Sequence, residues 1–228
     1  MNIEPIAFFK SPFTSKFGIP RQSGLVDSLP GRIVFTAEYS TPEALRGLDG
    51  FDWIWMIWGF SGNVAARKHP TVRPPRLGGN RQMGVFATRS PFRPNNLGLS
   101  SVRIAGVTME KGRMAIDVLG ADLMDGTPIY DIKPYIPQAD CHPGARGGFT
   151  DTEQWETLSV DMSGVPSGLF ADAELEALRQ TLALDPRPHY HDDPQRIYGM
   201  PFAGRDVRFT VGGGVVRVVG VERVSGRT

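Results

Sequence analysis

The stretch at residues 83–101, MGVFATRSPFRPNNLGLSS, constrains the possible folds more than any other part of the chain. It places two arginines, two prolines, two asparagines and two glycines between short apolar runs. Proline cannot donate a backbone hydrogen bond to a sheet, and glycine adopts backbone angles that other residues avoid. The stretch therefore predicts two strands joined by a shaped polar loop. Loops of this kind on rigid scaffolds commonly carry binding and catalytic residues.

Positive charge is concentrated in the same region. From Arg67 to Met109 there are eight Lys or Arg residues and no Asp or Glu, although the whole chain has a formal net charge of only +1. A local cationic surface attracts anionic ligands, and the guanidinium group of arginine matches the geometry of phosphate. The alternative is a solvated loop whose arginines pair with acids elsewhere in the fold. Because every Lys, Arg, Asp or Glu in this segment is a Lys or Arg, the segment favours an anionic ligand.

The turn content and the strand patterns predict a mainly β fold. The 27 glycines and 19 prolines among 228 residues require many turns. Short strand-like runs recur at residues 3–9, 31–37, 51–60, 84–88, 99–107, 114–123 and 129–135. The aromatic run at 51–60 is apolar on both faces, which predicts a strand buried on both sides. Together with one short helix that begins near Thr41, these runs predict an N-terminal antiparallel β-barrel.

The chain divides at a break rich in glycine and proline at residues 138–150. This break predicts a first domain over residues 1–140 and a smaller α+β domain over residues 151–228. Within the second domain, leucines at helical spacing predict an amphipathic helix at 171–182. Alternating runs on both sides of the glycines at 212–214 predict a hairpin.

Several classes of site are excluded by the residues themselves. The single Cys141 excludes an internal disulfide framework and a cysteine-rich metal site, and the four histidines lack metal-ligand spacing, so no metal is expected. The chain contains no glycine-rich dinucleotide or phosphate loop and no serine nucleophile elbow. The first ten residues are too short and too polar for a signal peptide, and the longest apolar run, at 53–60, is far shorter than a membrane span. We therefore expect a cytoplasmic protein with no membrane partner.

Two further loops carry residues suited to binding. The turn at 122–127, DLMDGT, crowds two aspartates and a threonine into one tight bend that can hold an adenine edge or a ribose hydroxyl pair. A plain hairpin turn is the alternative. The loop at 185–199 combines arginines and tyrosines between prolines, which is the chemistry that stacks and hydrogen-bonds unpaired bases. A connector with surface tyrosines fits these residues equally well.

Six strings in the chain resemble the TsaA/YaeB-like proteins, the family of tRNA methyltransferases called TrmO. They are PRQSGLV at 20–26, HPTVRPPRLGGN at 69–80, MGVFATRSPFRPNNLGLS at 83–100, DLMDGTPIYDIKPY at 122–135, DPRPHY at 185–190 and YGMPFAGRDVRF at 198–209. The resemblance covers nearly the whole chain. It implies a β-barrel that binds S-adenosylmethionine outside the Rossmann class of methyltransferases, and a homodimer with the cofactor near the subunit interface.

The reaction implied by the resemblance is methylation of the exocyclic amine of threonylcarbamoyladenosine, beside the anticodon of tRNA that reads ACN codons. Methyl transfer needs the amine nitrogen, the methyl carbon and the sulfur in line, with water excluded. Because this amine belongs to a urea and is weakly nucleophilic, a carboxylate that accepts its proton would help, and Asp125 or Asp131 is the predicted acceptor. The alternatives are a non-catalytic RNA-binding or cofactor-sensing barrel and a methyltransferase that acts on a small metabolite.

The family motifs also imply which residues contact the cofactor. They are Pro20, Arg21, Gln22, Arg89, Leu99, Asp122, Leu123, Met124, Asp125, Gly126 and Thr127. A further contact usually lies just after the aromatic strand, at a His-Gln or His-Arg pair. This chain has Ser61 and Gly62 there, which departs from the family pattern, and the backbone groups of these two residues are the predicted cofactor contact. The predicted contacts with the anticodon arm of tRNA are Arg73, Arg76, Arg93, Arg187, Tyr190 and Arg196, and the C-terminal domain is expected to aid tRNA binding.

Overall fold

Six antiparallel strands close into a barrel in the first part of the chain. They are β1 (Ala7–Lys10), β2 (Pro30–Phe35), β3 (Trp53–Gly59), β6 (Leu97–Glu110), β7 (Arg113–Leu119) and β8 (Pro128–Pro134), in the order β1-β2-β7-β6-β3-β8 around the ring. Two short strands, β4 (Thr71–Val72) and β5 (Met83–Gly84), pair outside the ring. The computed structural model describes residues 2–63, 69–74, 81–152, 157–188, 191 and 193–223.

Alternation of side chains places one face of each barrel strand in the core. In β3 the inward residues Ile54 and Met56 are fully buried, and Trp58 is 7% exposed. The outward residue Trp53 is 39% exposed. The expectation that this strand is buried on both sides is therefore wrong. An apolar outer face remains partly open to solvent because nothing in the described part of the chain covers it fully.

Strand β6 closes the ring because it bends. Its first half pairs with β3 from Leu97 to Arg103, and its second half pairs with β7 from Arg103 to Glu110. The register with β7 shifts between Ile104 and Gly106, where an irregularity sharpens the local twist. The strand is longer than the predicted 99–107 because both halves find partners. Closure leaves no open edge in the ring.

Three long connections emerge at one end of the barrel, which we call the long-loop end. The antiparallel register places there residues 11–29, the described parts of 60–96, and residues 120–127. In the middle connection, a 3₁₀ turn spans Val85–Ala87 directly after β5. The predicted strand at 84–88 is therefore wrong, because these residues turn instead of extending. The opposite end holds an apolar pocket of about 290 Å³ lined in part by Phe35, Leu48 and Phe51.

The C-terminal part of the chain forms a second sheet packed on one helix. After the short helix α1 (Pro137–Asp140), its elements are β9 (Ser159–Asp161), α2 (Asp172–Ala183), β10 (Tyr198–Phe202), β11 (Arg205–Gly212) and β12 (Val215–Arg223), with sheet order β10-β11-β12-β9. The predicted helix and the predicted hairpin are confirmed, and Gly213 and Gly214 turn the hairpin with φ of +59° and +75°. The mainly β fold with a barrel and a separate C-terminal α+β unit is confirmed.

The core of the second sheet includes residues from the first loop of the barrel. Phe13, Val26 and Leu29 are buried among the apolar side chains of α2 and of β10 to β12. The ring of Phe13 meets that of Phe202 edge-on, with centroids 5.3 Å apart. The Ala203 N–H donates to the Pro12 carbonyl at 2.9 Å. The loop at 11–29 is therefore a shared element that belongs to both halves of the molecule.

The described residues contain neither a membrane-spanning helix nor a cluster of metal ligands. Among the residues that the structure describes, no helix is long and apolar enough to cross a membrane. Over the same residues, no group of three or more His, Cys, Asp or Glu side chains is placed to hold a metal ion.

Candidate functional site

Three separate connections meet around the Asp122 carboxyl at the long-loop end. Ser100 Oγ donates to Asp122 Oδ1 at 2.6 Å, and the backbone N–H of Ser23 favours the ionised form of the same carboxyl. Arg89 Nη1 donates to Gln22 Oε1 at 2.7 Å, and the Arg89 charge is close enough to stabilise ionised Asp122. Three of the predicted cofactor residues, Gln22, Arg89 and Asp122, are thus brought together from distant parts of the sequence.

The Asp122 carboxyl has an altered proton affinity because it is shielded from water. Burial raises the pKa of this carboxyl above its ordinary value, since the charged form loses hydration. The hydrogen bond from Ser100, the backbone N–H groups of Asp122 and Ser23 and the charge of Arg89 oppose the rise without cancelling it. A carboxyl with a raised pKa beside an arginine is typical of functional sites.

A buried chain of hydrogen bonds connects Asp122 to the barrel core. Trp58 Nε1 donates to Ser100 Oγ at 3.0 Å, and Ser100 is only 1% exposed. Gly98 allows this arrangement, because a Cβ at that position would collide with the Trp58 ring. Ser100 was not among the site residues predicted from the sequence. The available signal was a polar residue at an inward position of a strand, between Gly98 and Val102.

The turn at 122–127 is braced by its neighbours. The Thr127 side chain is buried and donates to the Met124 carbonyl at 2.7 Å. The Asp125 N–H donates to the Phe13 carbonyl at 2.8 Å, while Asp125 Oδ1 accepts from the Ser11 N–H at 3.1 Å. The Leu123 side chain lies in the barrel core, so a cofactor would meet its backbone. Gly126 completes the bend with φ of +76°.

The remaining predicted cofactor residues differ in how far they are exposed to solvent. Pro20 is buried and Arg21 is exposed beside Gln22. Ser61 and Gly62 are exposed in a 3₁₀ turn after β3, and the Lys16 side chain lies against Gly62. The Lys16 contact connects this turn to the 11–29 loop. Leu99 is 53% exposed and points away from the barrel interior, opposite to Ser100.

The two predicted proton acceptors have different surroundings. Asp125 is the turn residue bonded to Ser11, as described above. Asp131 lies on the outer wall of the barrel, where β8 pairs it with Ile57 and β3 pairs Ile57 with Leu99. Its carboxylate accepts from the Ile132 N–H at 2.9 Å and lies 3.0 Å from Lys133 Nζ. The structure thus gives both carboxylates structural partners and does not place Asp131 beside Asp122.

Comparison with known proteins identifies the family to which this chain belongs. The tRNA-methyltransferase O N-terminal domain matches residues 8–141, and the TrmO C-terminal domain matches residues 171–224. The chain belongs to the TrmO family. It is 37% identical over 216 residues to a tRNA (adenine(37)-N6)-methyltransferase of Escherichia coli, covering 91% of this chain and 92% of that protein. It is 42% identical over 176 residues to a protein of the same name in Eikenella corrodens, covering 77% and 99%.

A solved structure is similar over nearly the full length. The crystal structure of TrmO from Pseudomonas aeruginosa matches with a TM-score of 0.76 and 30% identity, covering 99% of this chain and 98% of that one. Other relatives have names that identify them as S-adenosylmethionine-dependent methyltransferases. The resemblance that the six strings predicted is therefore confirmed as family membership.

The arginines of this TrmO-family chain differ in how their guanidinium groups are engaged. Arg93 Nη1 donates to the Thr88 carbonyl at 3.0 Å and to the Ser90 carbonyl at 3.4 Å. It therefore braces the loop that carries it. Arg73 is exposed near β4. Arg76, which was predicted to contact RNA, lies outside the described residues.

In the C-terminal domain, two predicted RNA contacts lie on the loop before β10. Arg187 Nε donates to both carboxylate oxygens of Asp185, at 3.0 and 3.1 Å, and lines a cleft of about 440 Å³ beside the glycine turn at 212–214. The Arg196 guanidinium lies over the ring of Tyr198, 5.5 Å from its centroid. Tyr190, the third prediction on this loop, lies outside the described residues.

Proposed function

We propose that this protein transfers a methyl group from S-adenosylmethionine to N6 of adenine 37 in tRNA. The observation that carries the proposal is the convergence of Gln22, Arg89 and Asp122 at one end of the barrel in a chain of the TrmO family. A relative with this activity in its name spans nearly the same length. The finer substrate, threonylcarbamoyladenosine in tRNA reading ACN codons, is part of the same proposal.

The residues at the long-loop end fit S-adenosylmethionine chemically. This cofactor has cationic sulfonium and ammonium groups, a carboxylate and a nucleoside. The shielded Asp122 carboxyl can accept from a cationic or hydroxyl donor, and Arg89 and Arg21 suit a carboxylate. The braced turn at 122–127 adds backbone donors and acceptors for the nucleoside. When bound, the cofactor supplies a methyl group on a sulfonium that leaves as a neutral thioether.

The chain contributes positioning and proton handling. Fixing the acceptor amine in line supplies much of the catalysis in a transfer that needs no covalent intermediate. Asp125 and Asp131 stay our proposed proton acceptors, and Asp122 is a third carboxyl whose raised pKa brings it nearer to the range useful for proton transfer. The network through Ser100 and Trp58 holds Asp122 in one orientation.

We assign RNA binding to the arginines on both halves of the molecule. Arg73 is exposed near the long-loop end, where an acid-free segment supplies the field that attracts phosphates. Arg93 contributes charge while bracing its loop. Arg187 and Arg196 extend this role to the second domain, for which we propose residues 151–228 as an aid to tRNA binding and residues 1–140 as the methyl-transfer domain. Arg76 and Tyr190 keep their predicted role as RNA contacts.

A homodimer in the cytoplasm completes the proposal. The outer face of β3 and β6 has apolar side chains open to solvent, among them Trp53 at 39% and Leu99 at 53% exposure. Exposed apolar faces of this kind are typical of protein interfaces. Because Leu99 is also a predicted cofactor contact, a dimer through this face would bring the cofactor close to the partner.

The test is a calorimetric titration of S-adenosylmethionine combined with transfer of labelled methyl to tRNA. We expect Arg89→Ala to lower cofactor affinity at least about tenfold, because a charge-assisted bond contributes about 1.5–3 kcal/mol. Arg113→Ala is the matched control, since Arg113 is exposed at the opposite end of the barrel. Nucleoside mass spectrometry should locate the methyl group on adenine 37. Wild-type protein that binds tRNA but transfers no methyl would instead identify a non-catalytic barrel.

A further inference from the structure

Phe86 is the most exposed large apolar side chain in the described part of the chain, with 78% of its surface accessible. Single apolar residues at the surface are common, but an aromatic ring that is almost wholly in water contributes nothing to the core. The proposed function assigns no task to this ring. Its position, three residues before Arg89, places it on the loop that carries a cofactor contact.

The backbone under Phe86 is firmly anchored. Its neighbour Val85 is only 3% exposed, and the Val85 N–H donates to the Pro70 carbonyl at 2.9 Å. Both the N–H and the Oγ1 of Thr88 donate to the Val85 carbonyl, at 3.2 and 2.9 Å. The turn therefore holds the ring outward by construction, because Val85 and Thr88 fix the backbone on both sides of it.

The segment that carries the ring is cationic. Arg81 is exposed beside β5, Arg89 is exposed on the same loop as the ring, and the sequence from Arg67 to Met109 contains no acid. An aromatic face among arginines is the arrangement that stacks an unpaired base while its phosphates are neutralised. A second copy of this chain fits less well, because a symmetric contact through this patch would oppose two cationic surfaces.

We propose that Phe86 stacks on an unpaired nucleobase of the bound RNA. The inference rests on the proposed function and adds a subsite to it. A base whose N6 is methylated must leave its stack to be reached, and a ring that replaces the lost stacking lowers that cost. The arginines of the same segment bind the backbone, and Phe86 binds the base.

The experiment measures binding of an anticodon stem-loop RNA to Phe86→Ala, Phe86→Leu and Phe86→Trp. We expect both the Ala and the Leu variant to weaken binding about 5- to 150-fold, because neither side chain can stack on a base. Leu differs from Ala in that it keeps apolar bulk at this position. Trp should retain the affinity, and its added fluorescence should be quenched by the RNA. The salt dependence of binding should not change, since no phosphate contact is removed. Phe8→Ala is the control, because Phe8 is 43% exposed on the barrel wall.

The outcomes separate this inference from the proposed function. Cofactor affinity, measured by calorimetry without RNA, should be unchanged in all Phe86 variants. Wild-type RNA binding with an unaffected Phe86→Ala variant would overturn the stacking role alone. If the wild-type protein does not bind the RNA at all, both the stacking role and the proposed function are overturned. A Phe86→Ala variant that becomes monomeric in light scattering while binding RNA normally would assign the ring to a protein interface and also overturn the inference.

Discussion

The two loops that meet at Asp122 are held in different ways. The first, residues 11–29, is held from outside, because Phe13, Val26 and Leu29 are buried in the core of the C-terminal sheet. The second, residues 85–96, is held mainly from within, apart from end contacts such as the bond from the Val85 N–H to the Pro70 carbonyl. Its one buried side chain is Val85, and its shape depends on bonds among Thr88, Ser90 and Arg93.

This difference shows that the long-loop end of the barrel depends on the C-terminal domain. Phe17 stacks near the rings of Tyr198 and Phe209, with centroids 6.5 and 6.3 Å apart, and lies three residues before Pro20. The second domain therefore positions the loop that carries Pro20, Arg21 and Gln22. Damage to either domain should reach the first loop, whereas the second loop should respond mainly to changes within itself.

The largest effect should come from the anchor of the first loop. We expect Phe13→Ala to lower the free energy of unfolding by about 3–5 kcal/mol, because a buried aromatic ring is lost and a cavity remains. Cofactor affinity should fall in the folded variant, since the loop loses its attachment to Phe202. Urea unfolding and calorimetric titration measure the two effects.

Phe35→Ala is the matched control for that comparison. Phe35 is 4% exposed in the barrel core and lines the pocket at the opposite end. A similar loss of stability should occur there with unchanged cofactor affinity in the folded protein. Equal cofactor losses in both variants would mean that the first loop senses general destabilisation and has no special anchor.

The next largest effect is expected at Asp122, where the loops meet. Burial raises the pKa of this carboxyl in the folded state, so the folded protein binds the proton more readily than the unfolded chain. At pH values below the pKa of the unfolded chain, Asp122 is protonated in both states and costs no stability. As the pH rises from there through the higher pKa of the folded state, ionisation of Asp122 destabilises the folded protein by a growing amount. Asp122→Asn should stabilise the protein at neutral pH and lose this advantage in acid, as urea unfolding at several pH values would show.

Cofactor binding should change in the opposite sense at the same residue. Asn cannot supply a negative charge, so we expect the affinity for S-adenosylmethionine to fall about tenfold or more. The wild-type affinity should weaken as Asp122 takes up a proton, and the variant should lose that pH dependence. An Asp122→Asn variant with the wild-type pH profile would show that another group governs cofactor binding.

Strand parity and turn chemistry made much of the fold predictable from the sequence. Inward residues such as Ile54 and Met56 follow a period of two, and the glycines at 213 and 214 predict the hairpin that they form. Strand β10 was missed because Gly199 and Pro201 interrupt its pattern. The run from Val85 to Thr88 looked like a strand, yet the Val85 N–H bond to Pro70 and the bonds from Thr88 make it a turn.

Long-range contacts were the part of the site that local patterns could not supply. The family motifs identified Asp122, but its partner Ser100 is 22 residues away in the sequence. The two side chains meet only because both segments reach the barrel interior. The packing of Phe13 on Phe202 has no local signal at all, because each residue alone resembles an ordinary core phenylalanine.

A smaller effect should come from the internal brace of the second loop. We expect Arg93→Ala to cost about 1 kcal/mol or less in global stability, because the bonds to Thr88 and Ser90 are partly exposed. Hydrogen exchange should nevertheless increase at residues 85–96 and stay unchanged at 11–29. Arg93→Lys keeps the charge without the planar donors, so it should match Ala in exchange while retaining more RNA affinity. Increased exchange in both loops would break the distinction between them.

The smallest effect is expected at the direct bond between the loops. Because Arg89 and Gln22 meet at an exposed position, Gln22→Ala should change stability by less than about 0.5 kcal/mol. A double-mutant cycle with Arg89→Ala measures the coupling between them, which should be small for unfolding and larger for cofactor titration. This contrast follows if the bond orients Arg89 toward the ligand and adds little to folding. A coupling that is larger for unfolding would mean that the two loops support each other's structure. The second loop would then no longer be one that is held mainly from within.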